Sequence, residues 1–302
     1  MSPSDDNGHD QLTRFLIGRA GVRGVHVRLD ASWRQIRGHG DYPEAAAELL
    51  GEACTAAALF TGHTKVDGRL SIQLRSSGTL RTLFAECTAA GTLRGIARLE
   101  DGATPSRDLR QLGDDTLLAI TIENPAVGSR EPVRYQGMVA LDADNLADAF
   151  EGYFVQSEQL PTRLLLAAGE RHAAGLMLQK LPGDEGDEDG WHRVGALFDT
   201  LGSDELLALP AGELLNRLFH EDGVEQVAGK PLTFACSCSE DRVAAMLVSL
   251  GEEEARAAAD AADGQAHVRC EFCGREYRFD QARIGELFKA HAVELEGPSR
   301  PQ

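Results

Sequence analysis

The sequence predicts an α+β protein: an N-terminal, mainly antiparallel sheet with packed helices, a helical linker, and a small four-cysteine zinc-binding C-terminal domain. Three observations lead there. Strand-like runs separated by turn signals cluster between residues 70 and 142, with a few long helical stretches beside them. A Gly/acid run without apolar residues, GDEGDEDG at Gly183–Gly190, then interrupts the chain. Beyond it, four cysteines fall in two close pairs. The expected boundaries are 1–182 for the α+β core, 183–231 for the linker, 232–294 for the zinc-binding domain and 295–302 for a tail.

Each element has a local reason. Pro43–Gly62 reads as a helix: proline near its start, a run rich in Ala and Leu, glycine at its end, and a seam of Leu49, Leu50, Ala53, Ala57 and Phe60. Strands follow at Leu70–Ser76, Thr79–Thr88, Leu93–Glu100, Leu117–Asn124 and Val133–Asp142, punctuated by Asp67-Gly68, Ser77-Gly78 and Asp101-Gly102. These and the helices beside them predict helices against one side of the sheet. Leu146–Leu160 reads as a helix capped by Asp144 or Asn145 and stopped before Pro161. TRLLLAAGE and AGLMLQKLP close the domain as a strand pair. In the linker, Leu206, Leu207, Leu214, Leu215 and Leu218 recur at helical spacing, which predicts short amphipathic helices broken at Pro210, with Ser203 as an N-cap. The last domain reads as two helices (Ser239–Gly251 and Glu252–Ala262), a strand at Glu276–Phe279, and a helix over Asp280–Ala292 capped by Asp280.

Composition removes several function classes. The 302 residues carry 48 Asp+Glu against 30 Lys+Arg, a net charge of −18. A general nucleic-acid binder needs a basic stripe, and an anionic membrane attracts basic segments, so neither partner is expected. No run approaches the roughly 18 apolar residues of a membrane span. The opening MSPSDDNGHDQL is acidic and polar, unlike a signal peptide, so a cytoplasmic location is expected. The charge is uneven: residues 183–230 hold 12 acids and 3 bases, half of the net charge in 48 residues. Such a segment is expected to be marginally stable.

Among the six cysteines, Cys54 and Cys87 stand alone in apolar surroundings and read as buried small hydrophobes. Cys236-Ser-Cys238 and Cys270-Glu-Phe-Cys273, 31 residues apart, have zinc-ligand spacing: four thiolates complete a tetrahedron, each pair giving two vertices. Arg269 and Arg275 are placed to balance part of its charge. A thioredoxin-like motif would begin a helix, whereas Cys273 is followed by Gly274 and a strand-like run. The spacing leaves two readings open, a static structural site or a redox switch that loses its metal when the thiolates are oxidised. His63, His172, His220 and His267 lack triad or metal-ligand spacing; His267, three residues before Cys270, is at most a tuning group. Nucleophile-elbow, zincin and P-loop motifs are absent, so no catalytic residue is expected. The rival functions are an interaction adaptor with a static zinc ribbon and a thiol–disulfide oxidoreductase.

At these residues the sequence resembles the heat-shock protein 33 family, the redox-regulated holdase chaperones of bacteria. FACSCSEDR (Phe234–Arg242) and VRCEFCGREYRF (Val268–Phe279) are similar to the halves of its zinc centre. YFVQSEQLPTRL (Tyr153–Leu164) is similar to its most distinctive stretch, and RYQGMVAL, GLMLQKLP, RLFHED and HDQLTRFL also match. Within YFVQSEQLPTRL, Ser157–Gln159 is expected to be a structural helix end packed on the linker. The resemblance implies a non-enzymatic, ATP-independent chaperone that is inactive while Cys236, Cys238, Cys270 and Cys273 hold one Zn²⁺. Hypochlorous acid, or peroxide with heat, would form the disulfides Cys236–Cys238 and Cys270–Cys273. Zinc would leave, and the C-terminal domain and linker would lose their order. The chain, implied to be a homodimer when active, would bind unfolded client proteins and later pass them to ATP-dependent foldases.

Overall fold

The computed structural model describes residues 10–126, 131–183 and 187–296, with side chains through 289. His9, residues 184–186 of the Gly/acid run and residues 297–302 of the tail lie outside the described residues. The chain forms two compact units, Met1–Ala235 and Cys236–Gln302.

The N-terminal unit runs β1 (Gln11–Ile17), β2 (Val22–Leu29), α1 (Ala31–Arg37), α2 (Glu44–His63), β3 (Arg69–Arg75), β4 (Leu80–Thr88), β5 (Thr92–Leu99), β6 (Leu117–Asn124) and β7 (Val133–Val139). It continues with α3 (Leu146–Tyr153), β8 (Thr162–Ala168), β9 (Ala173–Lys180), α4 (Gly190–Phe198), α5 (Ser203–Ala208), α6 (Ala211–Phe219), β10 (Val224–Pro231) and β11 (Thr233–Phe234). The strands divide between two sheets where one was expected. The first has the order β10-β1-β2-β9-β8 and is antiparallel throughout. The second, β11-β5-β4-β3-β6-β7, is antiparallel apart from the short β11–β5 pair.

Helix α2 packs between the two sheets. Its expected seam is therefore too narrow: from Leu49 to Gly62 every residue is buried, because a helix between two sheets has no solvent side. Asn145 caps α3 by accepting from the Asp148 amide at 2.9 Å. The expected long helix ends early, in a π-turn over Phe154–Glu158 closed by Gln159 at φ 56°. Tyr153 and Phe154 turn inward, and Phe60 meets Phe154 edge to face at 5.1 Å. Ser157–Gln159 is consequently exposed, which corrects the expectation of a helix end packed on the linker.

The strands β2, β9 and β8 of the first sheet are covered on both faces. One faces α2; the other carries Phe15, Ile17, Val22, Leu176 and Leu178 beneath α4, α5 and α6. Val194, Phe198, Leu206, Leu214, Leu215, Leu218 and Phe219 supply the covering side chains. Phe15 stacks on Phe219 with ring centroids 6.4 Å apart. Arg28 of β2 donates to the Leu207 carbonyl at 2.5 Å, placing a cation at the carbonyl end of α5. Gly190 is needed where α4 begins: a Cβ there would lie 2.5 Å from Ala20 Cα. Ser203 proves to be the first residue of α5, and the cap position belongs to Gly202, which has no side chain to cap with. Beyond the helices the linker also contains β10, which pairs along the whole of β1.

His26 lies on the linker-facing side of β2, between Val25 and Val27, which face α2. Burial, with Arg28 nearby, lowers it from 6.5 to about 4. The folded state thus holds it neutral, while the unfolded chain takes up a proton near 6.5. This stabilisation is complete above pH 6.5 and falls as pH drops toward 4, by up to about 3 kcal/mol. Thermal melts should shift down between neutral pH and about pH 5, and the shift should shrink in His26→Gln; an equal shift in the variant would assign the effect elsewhere.

Candidate metal centre

The C-terminal unit contains α7 (Glu240–Leu250), α8 (Glu252–Asp260), β12 (Gln265–Arg269), β13 (Glu276–Asp280) and α9 (Gln281–Glu296). Strands β12 and β13 form an antiparallel hairpin, including a β12 that the sequence did not reveal. The apolar core is small: Val243, Leu247, Ala255, Ala259, Ala266, Tyr277, Phe279 and Ile284, three of them alanines. Caps define the helices. Ser239 Oγ accepts from the Arg242 amide at 3.2 Å, and Asp280 Oδ1 accepts from the Arg283 amide at 2.7 Å.

The two cysteine pairs arrive from different directions. Cys236 and Cys238 lie on the extended approach to α7, where Arg242 holds the Ser237 carbonyl at 2.8 Å. Cys270 and Cys273 lie in the turn between the hairpin strands. There the Gly274 amide donates to the Cys270 carbonyl and the Cys270 amide to the Arg275 carbonyl, both at 2.8 Å. Gly274 has φ +67°, a conformation that favours glycine, so the knuckle depends on it.

All four sulfurs lie within 4.8 Å of one another. Cys236 Sγ is 3.6 Å from Cys270 Sγ, and Cys238 Sγ is 3.3 Å from Cys273 Sγ. A tetrahedral zinc site with bonds of about 2.3 Å has sulfur–sulfur edges of roughly 3.8 Å, so the donor set fits that ion in type, number and spacing. Without a shared cation the thiols would not ionise together. Burial raises Cys238, but the Tyr277 hydroxyl and neighbouring thiols bring it down to about 7. Burial and the hydrogen bond with Cys238 push Cys273 up to about 12. A bound metal is what makes four adjacent thiolates compatible.

Tyr277 is the residue the sequence did not disclose: its hydroxyl donates to Cys238 Sγ at 3.1 Å. The alternating EYRF run revealed the strand, but only the fold shows which side chain reaches the sulfur. Arg275 faces Tyr277 and the Cys238 and Cys273 sulfurs, which keep its charge favourable. Arg269 stands opposite Glu276 in the hairpin register. His267 is exposed opposite Arg278, and the cluster consists of the four cysteines. Cys54 and Cys87 are buried at 0% and 1% exposure in the N-terminal core, as expected. Burial raises both thiols, Cys87 to about 11, and so keeps them unreactive.

Comparison with known proteins follows the same lines. The family model described as Hsp33 protein matches residues 10–280. The 33 kDa chaperonin of Nitrosococcus oceani is 42% identical over 282 residues, covering 93% of this chain and 95% of that protein. The 33 kDa chaperonin of Pseudomonas aeruginosa is 40% identical over 296 residues, covering 96% and 97%. In fold, the chain is similar to the crystal structure of the 33 kDa chaperonin (heat shock protein 33 homolog) of Thermotoga maritima. The TM-score is 0.76 at 20% identity, over 94% of this chain and 99% of that one.

Proposed function

The chain belongs to the Hsp33 family of chaperones, and from that membership we propose a redox-regulated, ATP-independent holdase whose switch is the four-cysteine centre. In the reduced state Cys236, Cys238, Cys270 and Cys273 would hold one Zn²⁺, with Tyr277 hydrogen-bonded to Cys238. The bound ion neutralises the thiolates and staples a unit whose apolar core is too small to be secure alone. Four protein ligands close the coordination shell, which speaks against a zinc hydrolase.

Oxidation would join Cys236 to Cys238 and Cys270 to Cys273. Each disulfide removes two electrons from a thiolate pair; hypochlorous acid accepts them and becomes chloride and hydroxide. The sulfurs all lie within 4.8 Å, so the cluster itself allows every pairing; the local pairing follows the family resemblance. Disulfide sulfurs are no longer thiolate ligands, and the small unit would unfold with the loss of its metal.

The observation that carries the reading is the covered face of the first sheet. A holdase needs an apolar surface that is hidden when idle. Here Phe15, Ile17, Val22, Leu176 and Leu178 lie under three helices from the acidic segment 183–231. Undocking of these helices would expose the sheet face and their own apolar sides together, as a surface for unfolded client proteins. Their charge would keep the opened chain soluble. The active form would be a cytoplasmic homodimer that hands clients to ATP-dependent foldases, without nucleic acid or membrane partners.

Treated with hypochlorous acid, the zinc-loaded chain should release zinc and suppress light scattering by a thermally unfolding client. Zinc release without suppression would contradict the holdase reading, and suppression with zinc retained would contradict the switch.

A further inference from the structure

A cavity of about 660 Å³ lies in the N-terminal unit, lined by β1, β2, the end of α2, residues after β4, and β10. Its charged lining has one sign: Arg14, Arg23, Lys65 and Lys230, beside His63, with no Asp or Glu among the described residues. Leu16, Val66 and Val227 contribute apolar walls.

That lining stands out in a chain with 48 acids against 30 Lys and Arg. Several guanidinium groups elsewhere find carboxylates, as Arg69 with Glu123, Arg107 with Glu48 and Glu52, and Arg193 with Asp187 and Asp222, while others, such as Arg28 and Arg37, hold backbone carbonyls. The cavity arginines are likewise positioned by neutral groups. Arg14 donates through Nε to the Gly62 carbonyl at 2.6 Å. Arg23 donates to Gln179 Oε1 through Nε at 3.2 Å and Nη2 at 2.6 Å, and Nη2 also meets His63 Nε2 at 3.2 Å. A guanidinium has no acceptor, so His63 Nε2 accepts and the ring is neutral. Burial, with Arg23 and Arg14 nearby, accordingly lowers His63 to about 4. Burial also moves Arg23 down, whereas Arg69, hydrogen-bonded to Glu123, is moved up. Lys230 donates to the Ala89 carbonyl.

Like charges gathered in a partly desolvated cleft repel one another, and an anion among them removes the penalty. Arg14, whose Nε is used on Gly62, keeps its Nη1/Nη2 fork for phosphate oxygens, Arg23 keeps Nη1, and four cations exceed what one carboxylate would require. The volume falls within the range of small-molecule pockets and leaves room for more than a bare anion. We propose that this cavity binds a phosphorylated small molecule of nucleotide size, with its phosphoryl group on Arg14, Arg23 and Lys65 and its uncharged part against Val66 and Val227. Because Val227–Lys230 belongs to β10, the ligand also ties that strand to its neighbours.

Calorimetric titration of the reduced, full-length chain with AMP, pyrophosphate and adenosine tests this. AMP should bind in the sub-millimolar range, with affinity falling as salt is raised, and adenosine should not bind. Pyrophosphate binding as tightly as AMP would assign recognition to the phosphates alone; weaker binding would assign part of it to the apolar wall. Arg23→Gln and Arg14→Gln should each weaken AMP at least tenfold with unchanged far-UV circular dichroism, and Arg23→Lys should retain part of the affinity. Bound AMP should slow amide exchange across residues 224–231. The proposal is overturned if AMP does not bind at millimolar concentration, whatever pyrophosphate does, if adenosine binds as well as AMP, or if a folded Arg14→Gln variant keeps full affinity.

Discussion

Phe219→Ala should give a chain that suppresses client aggregation while still fully reduced and zinc-loaded. Phe219 is completely buried at the end of α6, against Phe15 of β1. Truncating a buried phenylalanine costs about 3–5 kcal/mol. The loss falls on the contact between the linker helices and the sheet, because Phe219 belongs to that cluster and not to the core around α2. A few kcal/mol is enough to turn a docked linker into a largely undocked one, and the rest of the unit stays folded. Light scattering of an unfolding client, without oxidant, checks it. Val155→Ala, at an exposed position, should leave the reduced chain inactive. An inactive Phe219→Ala chain with demonstrably undocked helices would remove the covered face as the client surface.

Cys236→Ser and Cys54→Ala should differ by orders of magnitude in metal affinity. Structural zinc in small domains contributes an apparent ~10–16 kcal/mol, and that energy is folding energy. Losing one of four ligands should therefore weaken zinc binding severely and lower the helical signal of α7, α8 and α9. Cys54 is buried against Gly95 and lies outside the cluster, so its truncation should cost ordinary packing energy and leave redox control intact. Zinc titration with circular dichroism reads both effects. Equal behaviour of the two variants would contradict the assignment of the metal centre.

The four-cysteine cluster was legible because its information is local. C-x-C and C-x-x-C spacings bring thiols together in pairs before any tertiary structure is known, and Gly274 marks the knuckle. The Tyr277 contact was not legible, since a tyrosine on an alternating strand looks like a core residue until its neighbour across the unit is known. Strands β1 and β2 escaped notice for a related reason. Strand β2 is covered on both faces, so its alternation is lost, β1 carries an exposed Leu16 beside a buried Phe15 and Ile17, and Arg14, Arg23, His26 and Arg28 interrupt the apolar pattern. Strand β10, VEQVAGKP, is mostly exposed and forms only because the distant edge of β1 offers it a partner. The linker's amphipathic helices were readable from leucine spacing, but what they cover was not. The cavity cations are likewise dispersed from Arg14 to Lys230 and meet only in the fold.

The central claim is that the order of the linker helices depends on the four thiolates. Amide hydrogen exchange across residues 190–219, compared between the reduced zinc-loaded chain and the oxidised chain, tests it most directly. Protection of α4, α5 and α6 should collapse on oxidation and return on reduction with zinc, while α2 remains protected in both states. Linker helices that keep their protection in an oxidised, client-binding chain would contradict it.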